Sequence, residues 1–251
     1  MLMDKTAFHR CLIINADDFG ISEKTNSGII ESREKGVLTS ASLMVLRPAA
    51  KAAAQYAAKD ARLSVGLHVE LDEWSCDQGP WRLVRQRVNT QDPGAVAIEL
   101  RLQLERFRDL TGRNPTHLDS HQHIHTNAHL VPIFQEVARD LGVTLRSCGS
   151  TVQYCGAFFG ADEHMIPRPE FVTPANLIHL IDRLPMGITE ISTHPGWDMS
   201  LESEYRHARL AEVKTLCNPA VRQAIADRGV RLISFADVNS PPVATPGDAP
   251  G

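Results

Sequence analysis

The sequence predicts an α/β protein, a distorted (β/α) barrel with about seven parallel strands, and three observations carry that expectation. Short apolar runs alternate seven times with stretches of helical periodicity, and such alternation builds a mostly parallel sheet covered by helices. Asp17 and Asp18, His68, Asp119 and His121, Arg146, and His194 stand at or near the ends of five different runs. In a parallel sheet those ends share one side, so dispersed residues converge in space. Alternation alone suits an open doubly wound sheet equally well; bringing five polar strand ends round one mouth favours closure. Third, the 251 residues are 43% hydrophobic and 22% charged, which supports one large core or two modest ones and does not point to disorder.

Taken in order, the apolar run Cys11–Ala16 reads as the first strand, and Ser22 caps a helix over Glu23–Lys35. Strands follow at Ser40–Leu46, Leu63–Val69, Thr116–Ser120, Val143–Arg146, Ile188–Thr193 and Val230–Phe235. Helical periodicity occupies the intervals: Ala49–Lys59, Ala95–Leu110, Leu130–Leu141, Ala175–Leu184, and a pair over Glu202–Leu216 and Pro219–Asp227. Residues 1–238 are expected to form one domain, and the Pro- and Gly-rich stretch 239–251 a mobile tail.

Charge narrows the partners. A net charge of -4 offers no basic field for a phosphate backbone, which argues against nucleic acid. No apolar span approaches the roughly 20 residues of a membrane helix, and the opening "MLMDKTAFHRCLII" has too short an apolar run for a signal peptide, so a cytoplasmic protein is expected. The five cysteines are odd in number, scattered and without a C-x-x-C pair, which suits buried or incidental thiols better than a zinc ribbon or redox dithiol. A homo-oligomer is compatible with the sequence, which carries no signal for its size.

The chemistry begins at "LIINADDFGIS". Asp17 and Asp18 sit side by side at the rim of a buried strand, where ionising both is costly unless something positive lies nearby. The densest polar cluster is "THLDSHQHIHTN", with His117, Asp119, His121, His123 and His125 at alternate positions. An extended segment puts all five on one face, whereas a helical turn lets His121 and His125 share one. Any one of these histidines alone suits a hydrogen-bonded core position; five titratable groups in nine residues beside a carboxylate pair point to a metal site. His68 interrupts the apolar run of "VGLHVEL", and His194 ends "ISTHPGW", where Pro195 and Gly196 stop the strand. A carboxylate with two imidazoles leaves coordination positions open, as catalysis requires, and suits Zn, Mn, Co or Fe. One aspartate can then ligate the cation while the other takes a proton from water.

"NADDFG", "GLH", "THLDSHQHIH" and "THPG", in this order and spacing, resemble the YdjC-like carbohydrate deacetylases, which include diacetylchitobiose deacetylases and hopanoid-associated relatives. The resemblance runs from Leu12 to about Val238 and includes "NSGIIESREKGVLTSASLMV". It implies a barrel-like fold and metal-dependent hydrolysis of an N-acetyl group on an amino sugar, a chitooligosaccharide or another N-acetylglucosamine-containing glycoconjugate, with release of acetate. It also implies one divalent ion (Mg, Zn, Mn or Co) held by Asp18, His68 and His121, with Asp17 as general base and His194 as the acid for the leaving amine. His125 replaces or assists His121 if the segment is helical, with His123 a further metal or substrate contact. Arg146 is expected to be the cation that orients Asp17, and Trp197 and Phe158–Phe159 offer flat surfaces for a sugar ring. A metal-dependent phosphoesterase, a sugar isomerase or an inactive sugar-binding barrel would use a similar frame. The sequence shows no clear Gly-rich or basic phosphate cradle, and every motif of the active pattern is present. The segment from Asp72 to Gly94 carries none of these motifs and is where specificity is expected to be set.

Overall fold

The computed structural model describes residues 9–75, 82–149, 151–200 and 205–239. The chain runs β1 (Arg10–Phe19), α1 (Glu23–Glu34), β2 (Ser40–Leu43), α2 (Ala50–Ala57) and β3 (Ser64–Val69), then a hairpin of β4 (Asp72–Ser75) and β5 (Arg82–Gln86). It continues with α3 (Pro93–Thr111), β6 (His117–Ser120), a 3-10 turn (His121–Thr126), α4 (Val131–Leu141), β7 (Thr144–Leu145) and β8 (Val152–Cys155). The last part holds α5 (Pro174–Asp182), β9 (Gly187–Thr193), α6 (Arg206–Leu216), α7 (Pro219–Asp227), β10 (Arg231–Leu232) and α8 (Phe235–Asn239).

The main sheet has the order β7-β6-β3-β2-β1-β9-β8, and every pairing in it is parallel. β10 lies beside the first half of β1, with Cys11 opposite Arg231, and β2 takes over that edge from Asn15 onward. The curved sheet nearly closes into a distorted (β/α) barrel; the seam lies between β7 and β8, which do not pair. Local chemistry sets the helix ends: Ser22 accepts from Thr25 N, Asp92 from Ala95 N and Thr173 from Asn176 N, while Gly112 ends α3 in the left-handed region at φ 69°.

Side-chain alternation along β1 divides the barrel into two environments. Leu12, Ile14 and Ala16 join the large apolar core of buried residues, whereas Ile13 packs with Val152, Ile233 and Phe235 in a small separate cluster. On the same face as Ile13 follow Asn15 and Asp17, and with them a buried polar column. Ser40 donates to Asn15 Oδ1 at 2.7 Å, Asn15 Nδ2 donates to Ser42 at 2.9 Å, and Ser42 donates to Asp119 Oδ2 at 2.6 Å. His117 stacks on Phe235 with ring centroids 3.9 Å apart, joining the column to the small apolar cluster. Gly66 makes room for it: a Cβ there would stand 2.4 Å from the His117 ring.

Most expected elements occur, with differences at strand ends and among the short elements; β2 stops at Leu43, short of the expected Leu46. The fifth strand shrinks to Thr144–Leu145, and the last to Arg231–Leu232, because Phe235 opens α8 instead of ending a strand. β8 and the β4–β5 hairpin were not expected. Asn239, placed by sequence at the start of a mobile tail, closes α8 and donates to Thr116 O at 2.6 Å; residues 240–251 lie outside the described residues. Cys76 also lies outside them, and the other four cysteines are free, half-buried thiols. Among the described residues no helix is long and apolar enough to cross a membrane.

Candidate metal and catalytic site

A regular strand would turn Asp17 and Asp18 to opposite faces. The end of β1 is irregular: its register against β2 shifts between Ala16 and Phe19, and Asp18 adopts a left-handed backbone at φ 65°. Aspartate tolerates that region better than most residues. Both carboxylates therefore face one cavity, where each is nearly inaccessible to solvent.

Each carboxylate has its own guanidinium. Arg146, fully buried just beyond β7, grips Asp17 with two bonds of 2.7 Å, donates to Glu190 at 2.6 and 2.9 Å, and lies 2.9 Å from Asp119. Asn15 Nδ2 completes the hold on Asp17 at 2.8 Å. Arg209 of α6 donates to Asp18 Oδ2 at 2.5 Å. Burial alone would raise all of these carboxyls. Arg146 and His68 nevertheless hold Asp17 below its ordinary value, and they hold Asp119 well below it. Glu190 absorbs the excess negative charge: burial, aided by Asp17 and Asp119, pushes it up to about 7 against the pull of Arg146.

The other oxygen of Asp18 is the telling atom. Asp18 Oδ1 is buried without a hydrogen-bond partner, and faces His121 Nδ1 at 3.4 Å and His68 Nε2 at 3.6 Å. These three ligand atoms lie within 4.8 Å of one another. His68 presents Nε2 because its Nδ1 is held by Asp119 Oδ1 at 2.7 Å, the carboxylate–imidazole arrangement that orients metal-bound histidines. An orphaned carboxylate oxygen and two convergent ring nitrogens fit a divalent cation with open positions. Asp17, His68 and Asp119 form a second grouping of comparable size, but Arg146 already occupies both carboxylates there.

His194 follows β9. Its Nε2 lies 3.8 Å from Asp17 Oδ2 and its Nδ1 is buried without a partner, while burial pushes the imidazole down to about 4 despite the nearby aspartates. Two residues of α6 hold its backbone: Glu212 Oε2 accepts from His194 N at 2.5 Å, and Arg209 donates to His194 O at 3.4 Å. The following turn presses on α1 so closely that a Cβ on Gly28 would stand 2.6 Å from Gly196 Cα.

Three sequence expectations are corrected. His125 is no alternative ligand: its Nδ1 pairs with Ser120 at 2.6 Å and its Nε2 with Arg146 O at 3.0 Å, so the ring braces the turn from behind. Phe158 is fully buried in the core, and it is Phe159 that lines the cavity, edge-on to His194. Trp197 packs on α1, its indole N–H donating to Glu31 at 3.0 Å, away from the cavity. His123 does line the cavity, with Nε2 3.1 Å from the Tyr154 hydroxyl. Sequence reasoning gave no role to Glu190, Arg209, Glu212 or Tyr154. Glu190 had a signal, a lone charge in the apolar run "ITEIST"; Arg209 and Glu212 had none beyond helical spacing.

The cavity has a volume of about 980 Å³, and Trp74, Tyr154, Phe159, Phe171 and Tyr205 give it aromatic walls. Fold and site together define a distorted (β/α) barrel with a candidate carboxylate–imidazole cation site at its mouth and a second carboxylate beside it. The chain belongs to the YdjC-like protein family, whose family model matches residues 11–227. A chitooligosaccharide deacetylase of Yersinia pestis (strain Pestoides F) is 32% identical, over 91% of this chain and 99% of the relative. A proposed cellobiose-phosphate cleavage protein from Enterococcus faecalis V583 superposes with a TM-score of 0.75 at 24% identity, covering 92% of this chain and 99% of that one. A family 4 carbohydrate esterase from Streptomyces lividans, solved with acetate, gives 0.55 at 17% identity, over 90% and 93% of the two chains. These two structures share the fold.

Proposed function

We propose that the protein is a carbohydrate N-deacetylase that hydrolyses the acetamide of an acetylated chitooligosaccharide or related amino sugar, releasing acetate and leaving a free amine. The observation that carries the reading is the division of labour in the aspartate pair: Asp18 keeps one oxygen unpartnered opposite two imidazoles, while Asp17 is fully engaged by Arg146 and Asn15 and faces His194. The 32% identity to a chitooligosaccharide deacetylase over nearly the whole chain supports it.

Asp18, His68 and His121 would hold one divalent cation, Mg, Zn, Mn or Co. Bound there, such an ion supplies Lewis acidity and lowers the pKa of water from 15.7 toward ~7, as at catalytic zinc. Asp17, kept ionised and aimed by Arg146, takes a proton from the attacking water. The water oxygen bonds to the acetyl carbon, the C–N bond breaks, and the departing nitrogen takes a proton from His194. His194 is neutral at rest, so that proton reaches it during the reaction, and Asp17 Oδ2 is the group placed to give it. Arg209 and Glu212 keep His194 in place by its backbone, leaving the ring free to exchange protons.

The cavity disfavours phosphate esters. Among its described lining residues Asp17, Asp18, Asp162 and Glu163 are acidic, and the one arginine, Arg209, is already engaged by Asp18. The test is to incubate the protein with a divalent metal and a panel of N-acetylglucosamine compounds, then measure acetate and free amine with and without chelator. Acetate release that stops on chelation is expected; phosphate release from sugar phosphates with no acetate from any acetamide would overturn the reading.

A further inference from the structure

The β4–β5 hairpin stands outside the barrel sheet, yet it is tied to the site by one side chain. The carboxamide of Gln122 pairs with both main-chain polar groups of Trp74: Trp74 N donates to Gln122 Oε1 at 2.9 Å, and Gln122 Nε2 donates to Trp74 O at 2.7 Å. Gln122 thus behaves as a neighbouring strand would, pairing the edge of β4 that β5 leaves free. It does so from a left-handed backbone at φ 53°, directly after His121, so the hairpin and the candidate cation site are coupled through consecutive residues. The hairpin register shifts by one residue here, with Val84 of β5 standing between the partners of Glu73 and Trp74, so β4 itself keeps its regular alternation through Trp74.

Trp74 lines the cavity with 41% of its surface exposed. Its indole N–H is already satisfied by Asp72 Oδ2 at 3.0 Å, two residues earlier on the same strand face. What remains available is apolar ring surface, held from two directions and left unburied. A large exposed aromatic in a cavity of about 980 Å³, the upper end of the roughly 300–1,000 Å³ of small-molecule sites, marks a ligand contact better than a packing residue. Sugars carry apolar C–H faces that suit such a surface, because an aromatic ring removes those faces from water without competing for the hydroxyls. The acetamide that reacts must lie by Asp18, His68 and His121, and Trp74 belongs to a separate hairpin beyond the His121 turn.

We propose that Trp74, locked by Gln122 to the His121 turn, is a stacking platform for the sugar ring next to the one being deacetylated, so that the hairpin makes the enzyme selective for oligosaccharides over the monosaccharide. The inference rests on the deacetylase reading and deepens it. With Trp197 on α1 and Phe158 in the core, the sugar contact falls on Trp74, inside the segment from Asp72 to Gly94 that carries no family motif.

Trp74→Ala, Trp74→Phe and Gln122→Ala are compared with the wild type on N-acetylglucosamine and on the N-acetylated chitin di- and trisaccharides, with divalent metal present. A platform used equally in ground and transition states predicts that Trp74→Ala raises KM for the di- and trisaccharide about tenfold with kcat within about twofold. Monosaccharide kinetics stay unchanged, Trp74→Phe stays close to the wild type, and Gln122→Ala raises the disaccharide KM although Trp74 is still present. Calorimetric titration of the chelated protein with the disaccharide, where nothing turns over, should show the same tenfold loss in Trp74→Ala. Trp74→Ala with unchanged KM and unchanged affinity, or with the same loss on the monosaccharide, would overturn the platform. If the wild type releases no acetate from any of these sugars, the deacetylase reading fails, and the chelated titration still decides: a disaccharide affinity that depends on Trp74 supports the platform, and its absence overturns it.

Discussion

Glu190→Gln tests the charge balance beneath the site. Glu190 is buried on β9 and its Oε1 accepts from both Nε and Nη2 of Arg146, which is also shared by Asp17 and Asp119. Arg146, even with His68 beside Asp17 and Asp119, does not neutralise three carboxylates, and burial, with Asp17 and Asp119 alongside, drives the Glu190 carboxyl from 4.5 to about 7. The folded state therefore holds a proton that the unfolded state releases between those values, and stability falls as pH rises through that window. At 1.36 kcal/mol for each pH unit of displacement, most of it inside the interval from pH 5 to pH 8, the loss is on the order of 2–3 kcal/mol. Glutamine keeps the oxygen that Arg146 uses and cannot ionise. Urea unfolding of chelated wild type and Glu190→Gln at pH 5 and pH 8 should show the variant gaining about 2–3 kcal/mol on the wild type between the two conditions, whatever constant offset the amide introduces. A difference between the two proteins that does not change with pH would refute the argument and make Glu190 a permanently ionised partner of Arg146.

Other outcomes follow from the same geometry. His68→Ala and His121→Ala should each weaken metal binding by about 10-fold or more in a competitive chelator titration while the protein stays folded, and unchanged affinity in both would sink the ligand set. Asp17→Asn should retain the metal while kcat falls by roughly 10²–10⁴, whereas Asp18→Asn should lose the metal; exchanged phenotypes would exchange the two roles. Burial pushes His117 and His125 down to about 4 from 6.5, so in acid the unfolded state binds protons that the folded state refuses. These two rings should cost the chelated protein stability as pH falls from 6.5 toward 4, with a combined slope of up to ~2.7 kcal/mol per pH unit. His125→Gln should remove one proton's share, and an unchanged slope would contradict a neutral His125.

Most of the barrel was legible because its strands are buried on both faces and read as apolar runs, and its helices carry a clear period. β8, "VQYC", escaped because a four-residue strand at the edge of the sheet has only Val152 buried and shows no run at all. The hairpin escaped for a similar reason: β5 is exposed along its whole length, so no burial pattern marks it. In the candidate site, the residues in the last positions of strands (Asp17, Asp18, His68) or just after them (His121, His194) stood out as polar groups where apolar ones were expected. His125 misled, since alternation in "HQHIH" implies a common face only for an extended chain. The turn is instead broken by Gln122 and His123 in left-handed conformations, which sends His125 behind it. Arg209 and Glu212 were invisible because two charged residues three apart on a helix usually face solvent; here both are buried and engaged by the His194 backbone, and Arg209 by Asp18 as well.

The first strand of the chain lies in the middle of the sheet, and that position sets an order of events. β1 is flanked by β9 along seven residues and by β10 at its base, strands that leave the ribosome some 180 to 220 residues later. Asp17 waits 129 residues for Arg146, and Asp18 waits 191 for Arg209. Until α6 is made, the nascent chain carries two adjacent carboxylates destined for burial and lacks the second of their counter-ions, so the N-terminal half cannot settle into its final form ahead of the rest. The site is consequently among the last things to form, through contacts of high sequence separation that fold slowly. A chain stopped before Arg206 should be captured by chaperones or aggregate, and should not persist as a smaller folded unit.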